Sequence, residues 1–173
     1  MGRSKPSIYL DTNVISVLTY SGRDPMVVAQ QATTEDWWAL ECPSFDVWSS
    51  RIVLEELSGG VYPGQDKAIQ VCVRLRHLPF TSAVKRAATL LKLARIVPEG
   101  EDGDAIHLAF TIVHGIDYLM SWNHAHLVNV DTQNRLQRLC KHENWRIPVL
   151  VSPNTIPKAT LGQEIEREDE EEI

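Results

Sequence analysis

Ile8-Tyr9-Leu10-Asp11-Thr12-Asn13 decides the reading of this chain. Three apolar residues in a row, early in a globular sequence, predict a short strand buried on both faces. Asp11 closes it. Thr12 and Asn13 then offer helix-capping side chains ahead of a helix over Val14–Tyr20. A buried strand that ends in a carboxylate and passes straight into a helix is the opening unit of a parallel α/β sheet.

Working outward, the same alternation recurs. Met26–Glu41 is predicted as a helix with Trp37-Trp38 near its end, stopped by Pro43. The two tryptophans read as core or interface residues. Phe45–Trp48 alternates like a strand, and Ser49-Ser50 caps a short helix that runs through Leu57 to Gly59-Gly60. Lys67–His77 reads as a helix with Ile69, Cys72 and Val73 inward, and Leu78-Pro79-Phe80 as a short extended piece. Ser82–Ile96 carries the clearest helical period, at Val84, Ala87, Ala88 and Leu91. A loop over residues 97–103 precedes a helix opening at Asp104. Asp117–Ser121 and Val149–Val151 read as strands, with a helix between them ending near Trp145. The predicted fold is α/β, in three α/β/α layers, with a central parallel sheet of about four to five strands.

Size and charge narrow the class. At 173 residues the chain is expected to form one folded body over residues 1–153, followed by an acidic tail over 154–173. The net charge of −6 lies wholly in residues 164–173, which hold seven acids and one Arg, and the rest is neutral. Such a charge block is expected to be solvated and disordered. Residues 67–95 hold seven Lys or Arg and no acid. A basic middle suits a polyanionic partner, although two amphipathic helices with solvated faces give the same count. No apolar run reaches the roughly 20 residues that span a bilayer, and the N-terminus does not read as a signal peptide. Cys42, Cys72 and Cys140 have no paired spacing, as expected of reduced thiols in a cytoplasmic protein. The lack of a Cys-x-x-Cys or His-x₃-His pair argues against zinc.

Chemistry is carried by four short motifs: Asp11 after the first strand, Glu56 in Leu54-Glu55-Glu56-Leu57, Asp104 in Asp104-Ala105-Ile106-His107, and Asn123 in Ser121-Trp122-Asn123. Asp11 and Asn123 each follow an apparent strand. In open parallel sheets, ligands bind where strands end at a topological switch point. Carboxylates gathered there repel one another unless a cation balances them. A divalent ion does so and also activates water and polarises a phosphoryl oxygen.

These motifs, in this order, resemble the PIN domain, a metal-dependent ribonuclease fold, and above all the VapC toxins of toxin–antitoxin pairs. The resemblance covers roughly residues 8–153. It implies that Asp11, Glu56 and Asp104 are catalytic metal ligands for Mg²⁺ or Mn²⁺, and that Glu55 is not. Asn123 falls where the family often has an acid. Its carbonyl oxygen is expected to be a neutral substitute, with Asp102 compensating; Asp117, at the start of its strand, is not. Thr12 and Asn13 are expected to orient Asp11 and contact substrate, with Lys85, Arg86 and Arg51 holding RNA. His107, His124 and His126 are candidates to touch phosphate or assist proton transfer. By resemblance the partners are RNA, a small antitoxin protein and a second copy in a homodimer. Two other readings compete: a catalytically weak or inactive RNA-binding or interaction module on the same fold, and another metal-dependent phosphohydrolase. The Asp11-Thr12-Asn13 sequence lacks the second Asp expected of a phosphatase nucleophile motif.

Overall fold

The computed structural model describes residues 5–158. Five strands form one all-parallel sheet: β1 (Ser7–Leu10), β2 (Asp46–Ser50), β3 (Arg76–Leu78), β4 (Tyr118–Met120) and β5 (Val149–Val151), in the order β3-β2-β1-β4-β5. Seven α-helices connect them: α1 (Thr12–Leu18), α2 (Pro25–Leu40), α3 (Arg51–Ser58), α4 (Gln65–Arg74), α5 (Ser82–Leu93), α6 (Asp102–Val113) and α7 (Val130–Glu143). The expected three-layer α/β/α architecture is present. No helix among the described residues is long and apolar enough to cross a membrane.

The chain first walks from β1 outward to β3, then crosses back to β4 and walks the other way to β5. Right-handed crossovers place connections running in opposite directions on opposite faces of the sheet. The α1–α4 helices pack on one another, and α5 packs on α6. The direction reverses between β1 and β4, so their carboxyl ends, at Asp11 and Ser121, flank the switch point.

Core and site are built from the same strand. Ile8, Tyr9 and Leu10 are fully buried, and each such apolar side chain contributes about 1.5–3 kcal/mol by leaving water. The Tyr9 ring stacks on Phe110 of α6 at 5.7 Å. Because side chains alternate along a strand, Tyr9 and Asp11 lie on the same face.

Several boundaries differ from expectation. Strand β3 is Arg76–Leu78, two residues earlier than Leu78-Pro79-Phe80: Pro79 has no N–H for the ladder. Arg76 sits on this edge strand because its guanidinium lies 4.1 Å above the Trp48 ring and pairs with Asp46. Helix α4 therefore stops at Arg74, and its buried residues are Ala68 and Cys72, while Val73 is exposed. Phe45 precedes β2, which starts at Asp46. Helix α6 starts at Asp102, placing Asp104 inside its first turn. The packed body also runs past residue 153, since Ile156 is buried in the core and the turn before it is held by Ser152. The acidic block 164–173 lies outside the described residues.

Candidate metal centre at the switch point

Asp11 is the hub. Only 4 % exposed, it caps α1 by accepting from the Thr12 amide at 2.6 Å. Its other oxygen accepts from Asn13 Nδ2 at 2.7 Å and Ser121 Oγ at 2.6 Å. Asn13 Oδ1 in turn accepts the Trp122 amide at 2.8 Å, so the ends of β1 and β4 are tied across the switch point. The expectation that Asn13 orients Asp11 is met in this geometry. Thr12 contributes through its backbone, while its hydroxyl donates to Glu56.

Glu56 reaches the same place from α3, which Ser50 caps by accepting the Val53 amide. It meets His107 Nε2 at 3.1 Å. The helix α6 approaches closely here: a Cβ on Gly103 would lie 3.1 Å from Glu56 Oε1. Burial alone would raise the Glu56 carboxyl pKa, but the hydrogen bond and charge of His107, with the Thr12 hydroxyl, hold it below the usual value.

His107 links the carboxylates to the core. It is 2 % exposed. Its Nε2 is 3.1 Å from Glu56 and 3.4 Å from Asp11, and its Nδ1 is 2.9 Å from the Tyr9 hydroxyl, which meets Ser50 Oγ at 2.7 Å. Burial would lower the imidazole pKa, yet Asp11, Glu56 and Asp104 together raise it.

Asp104 completes the cluster. Burial and the charge of Asp11 raise its pKa. It accepts from Asn123 Nδ2 at 3.0 Å and lies 3.2 Å from His126 Nδ1. Asn123 meets this carboxylate through its nitrogen rather than the carbonyl oxygen the sequence suggested. Its carbonyl oxygen is occupied by the His126 amide at 3.0 Å, and it turns its NH₂ toward Asp104. In this arrangement Asn123 donates to the Asp104 carboxylate while its oxygen accepts a backbone amide.

Other candidates lie elsewhere. Asp102 is 2.7 Å from Lys92, with a mostly exposed side chain. It lines a cleft of about 870 Å³ together with Lys92, Arg95 and Arg135. Arg51 pairs with Glu55 at 3.1 Å on the outer face of α3. Lys85 and Arg86 are exposed on α5, opposite its buried Val84, Ala87, Ala88 and Leu91. Asp117 sits at the amino end of β4, bonded to Ser7 and Arg146. On the other side of Glu56, a pocket of about 390 Å³ is walled by Val17, Tyr20, Val27, Leu57 and Tyr62.

Two groups have ligand atoms lying within 4.8 Å of one another: Asp11, Glu56 and His107, and Glu101, Asp104 and His126. Among the described residues, no Lys or Arg pairs with Asp11, Glu56 or Asp104; their ion-pair partners are histidines. Sequence reasoning named His107 and His126 as candidates to touch phosphate or assist proton transfer, and did not place Glu101, Tyr9, Ser50 or Ser121 at the site. The i, i+3 spacing of Asp104 and His107, and the period-two spacing of Tyr9 and Asp11, carry that signal. The chain matches no protein-family model and no curated protein.

Proposed function

We propose that this chain is a divalent-metal-dependent endoribonuclease of PIN type. The observation that carries the reading is the convergence of Asp11, Glu56 and Asp104 at the switch point with no Lys or Arg among the described residues to balance them. The donor set fits a divalent cation: carboxylate oxygens and imidazole nitrogens from separate elements lie within 4.8 Å in each group. Asp11 and Glu56 would hold an ion in the first group and Asp104 one in the second, in the oxygen-rich chemistry of Mg²⁺ or Mn²⁺. Such an ion would supply Lewis acidity toward a phosphodiester and a lowered pKa for water.

The chain's own residues do the rest. Asn13 and Ser121 fix the Asp11 carboxylate by hydrogen bonds at 2.7 and 2.6 Å. Thr12 and His107 orient Glu56. Buried His107 closes the inner side of the cluster against water. Lys92, Arg95 and Arg135 border the cleft beside the 97–101 loop, where cations can follow a phosphate backbone. The pocket walled by Tyr20 and Tyr62 offers aromatic surface for an unstacked base beside Glu56. The wider reading of a cytoplasmic toxin, homodimeric and silenced by a small antitoxin, rests on the motif resemblance.

One observation favours a rival, a non-catalytic RNA-binding or interaction module: Asn123 gives Asp104 a hydrogen bond where a fourth acid would add charge. Incubating the purified chain with RNA, with Mn²⁺ and with chelator, separates the two. Metal-dependent internal cleavage that is lost in Asp104→Asn supports the nuclease; RNA binding without cleavage at saturating Mn²⁺ supports the rival.

A further inference from the structure

A histidine beside carboxylates is usually an ion-pair partner. His107 has a more specific setting. Its ring is buried, and Nε2 points between two carboxylates, 3.1 Å from Glu56 Oε2 and 3.4 Å from Asp11 Oδ1. Neighbouring ligands of one ion, at bond lengths of about 2.1 Å, lie about 3.0 Å apart on an octahedron and about 3.4 Å apart on a tetrahedron. Both distances from Nε2 match that spacing, and the three residues' ligand atoms lie within 4.8 Å of one another.

The far side of the ring supports the same assignment. Nδ1 lies 2.9 Å from the Tyr9 hydroxyl, and that hydroxyl lies 2.7 Å from Ser50 Oγ. Tyr9 can donate its proton to Ser50 and accept one from Nδ1. With Nδ1 engaged on Tyr9, Nε2 is the nitrogen that faces the carboxylates, where its proton bridges to Glu56 and a cation would take that proton's place. A ligating imidazole characteristically uses its other nitrogen in a hydrogen bond that fixes its tautomer. Here that hydrogen bond reaches into the core, where Tyr9 is held by Phe110.

We infer that His107 Nε2 is a nitrogen ligand of the cation held by Asp11 and Glu56, and that it moves the site's preference from Mg²⁺ toward Mn²⁺. Mg²⁺ demands oxygen donors and near-ideal octahedral geometry, whereas imidazole suits first-row transition metals. The inference rests on the metal-dependent reading above, and adds a ligand and a selectivity that the four acidic motifs do not contain.

The test is direct spectroscopy on the full chain loaded with Mn²⁺. Pulsed electron paramagnetic resonance should show ¹⁴N coupling from a directly bound imidazole. His107→Gln should lose that coupling and bind Mn²⁺ at least about tenfold more weakly, with Mg²⁺ affinity changed less. If His107→Gln fails to fold, the wild-type spectrum still decides, and Tyr9→Phe should keep the ¹⁴N coupling while weakening Mn²⁺ about tenfold. Bound Mn²⁺ without ¹⁴N coupling overturns the inference and leaves the metal-dependent reading standing. Failure of the wild-type chain to bind Mn²⁺ overturns both.

Discussion

Asn123 donates its amide hydrogen to Asp104 across 3.0 Å, while the His126 backbone holds its carbonyl oxygen. The residue acts on the carboxylate as a neutral clamp. Asn123→Asp replaces that donor with a second carboxylate. The metal-free variant should lose about 1–3 kcal/mol of stability, the usual cost of removing a partner from a buried polar group. Saturating Mn²⁺ should restore most of it. Melting temperatures with and without Mn²⁺ measure both effects; equal metal-free stability of variant and wild type would show that the clamp contributes nothing.

Asp11→Asn and Asp104→Asn should both abolish RNA cleavage, with opposite costs to the fold. Asp11 uses both oxygens as acceptors, from Thr12 on one side and Asn13 and Ser121 on the other. One oxygen replaced by NH₂ strands a donor, costing about 1–3 kcal/mol. Asp104 has its pKa raised by burial and by Asp11, so its neutral form is the easier one to bury. Asp104→Asn should therefore be as stable as wild type or more so when metal is absent. Urea titrations of the two variants in chelator give the comparison, and the reverse ranking would refute it.

Gly103→Ala separates folding from chemistry. Alanine favours a helix by up to about 1 kcal/mol over glycine, and its methyl would stand 3.1 Å from Glu56 Oε1. The flexible carboxylate must yield. Thermal stability should hold or rise while cleavage falls roughly ten- to hundredfold, as expected when a reacting group is displaced by less than an ångström or so. Unchanged turnover would mean that Glu56 tolerates displacement.

Acid stability should depend on Asp117, at the opposite end of the sheet. Burial alone would raise its carboxyl, but the Ser7 amide and hydroxyl, with Arg146, hold its pKa below the usual value. Its folded-state pKa is depressed, so the stabilisation is present above the ordinary carboxylate pKa of about 4 and is lost as pH falls through the lower folded value. Asp117→Asn should cost about 1–2 kcal/mol at neutral pH, and the difference from wild type should shrink below about pH 4. Denaturant melts at pH 7 and pH 3 provide the check; a constant gap would contradict the linkage.

RNA affinity should follow Lys92 and Arg95 at the cleft more than Lys85 and Arg86. Reversing the first pair to Glu removes two potential phosphate contacts, each worth about 0.7 in the slope of log affinity against log salt for a single strand. Filter binding over a salt series should show a slope shallower by about 1.4. The same reversal at residues 85 and 86 tests the other end of α5, and a larger effect there would move the RNA path away from the cleft.

The parts of this structure visible in the sequence are those fixed by local rules. Ile8–Asp11 reads as a buried strand and its exit because apolar burial and capping act within six residues. The α5 helix is legible from its period, and Asp104 from its place before an apolar helical face. Strand β3 was hidden because Arg76 owes its place to Trp48 and Asp46, both on a neighbouring strand. The roles of Asn123 and His107 were hidden for a similar reason. Which atom of an amide faces Asp104, and what lies behind an imidazole, are set by contacts 19 and 98 residues apart in sequence.

Tyr9 has a consequence for engineering. One ring is wedged against Phe110, and the same residue's hydroxyl steadies His107. No clean border therefore separates the packed core from the carboxylate–histidine cluster. A substitution at Phe110 chosen only to repack the interior would tilt Tyr9 and, through it, the imidazole. Thermostabilising this chain by redesigning around Phe110 would shift the carboxylate–histidine cluster whether or not that was intended.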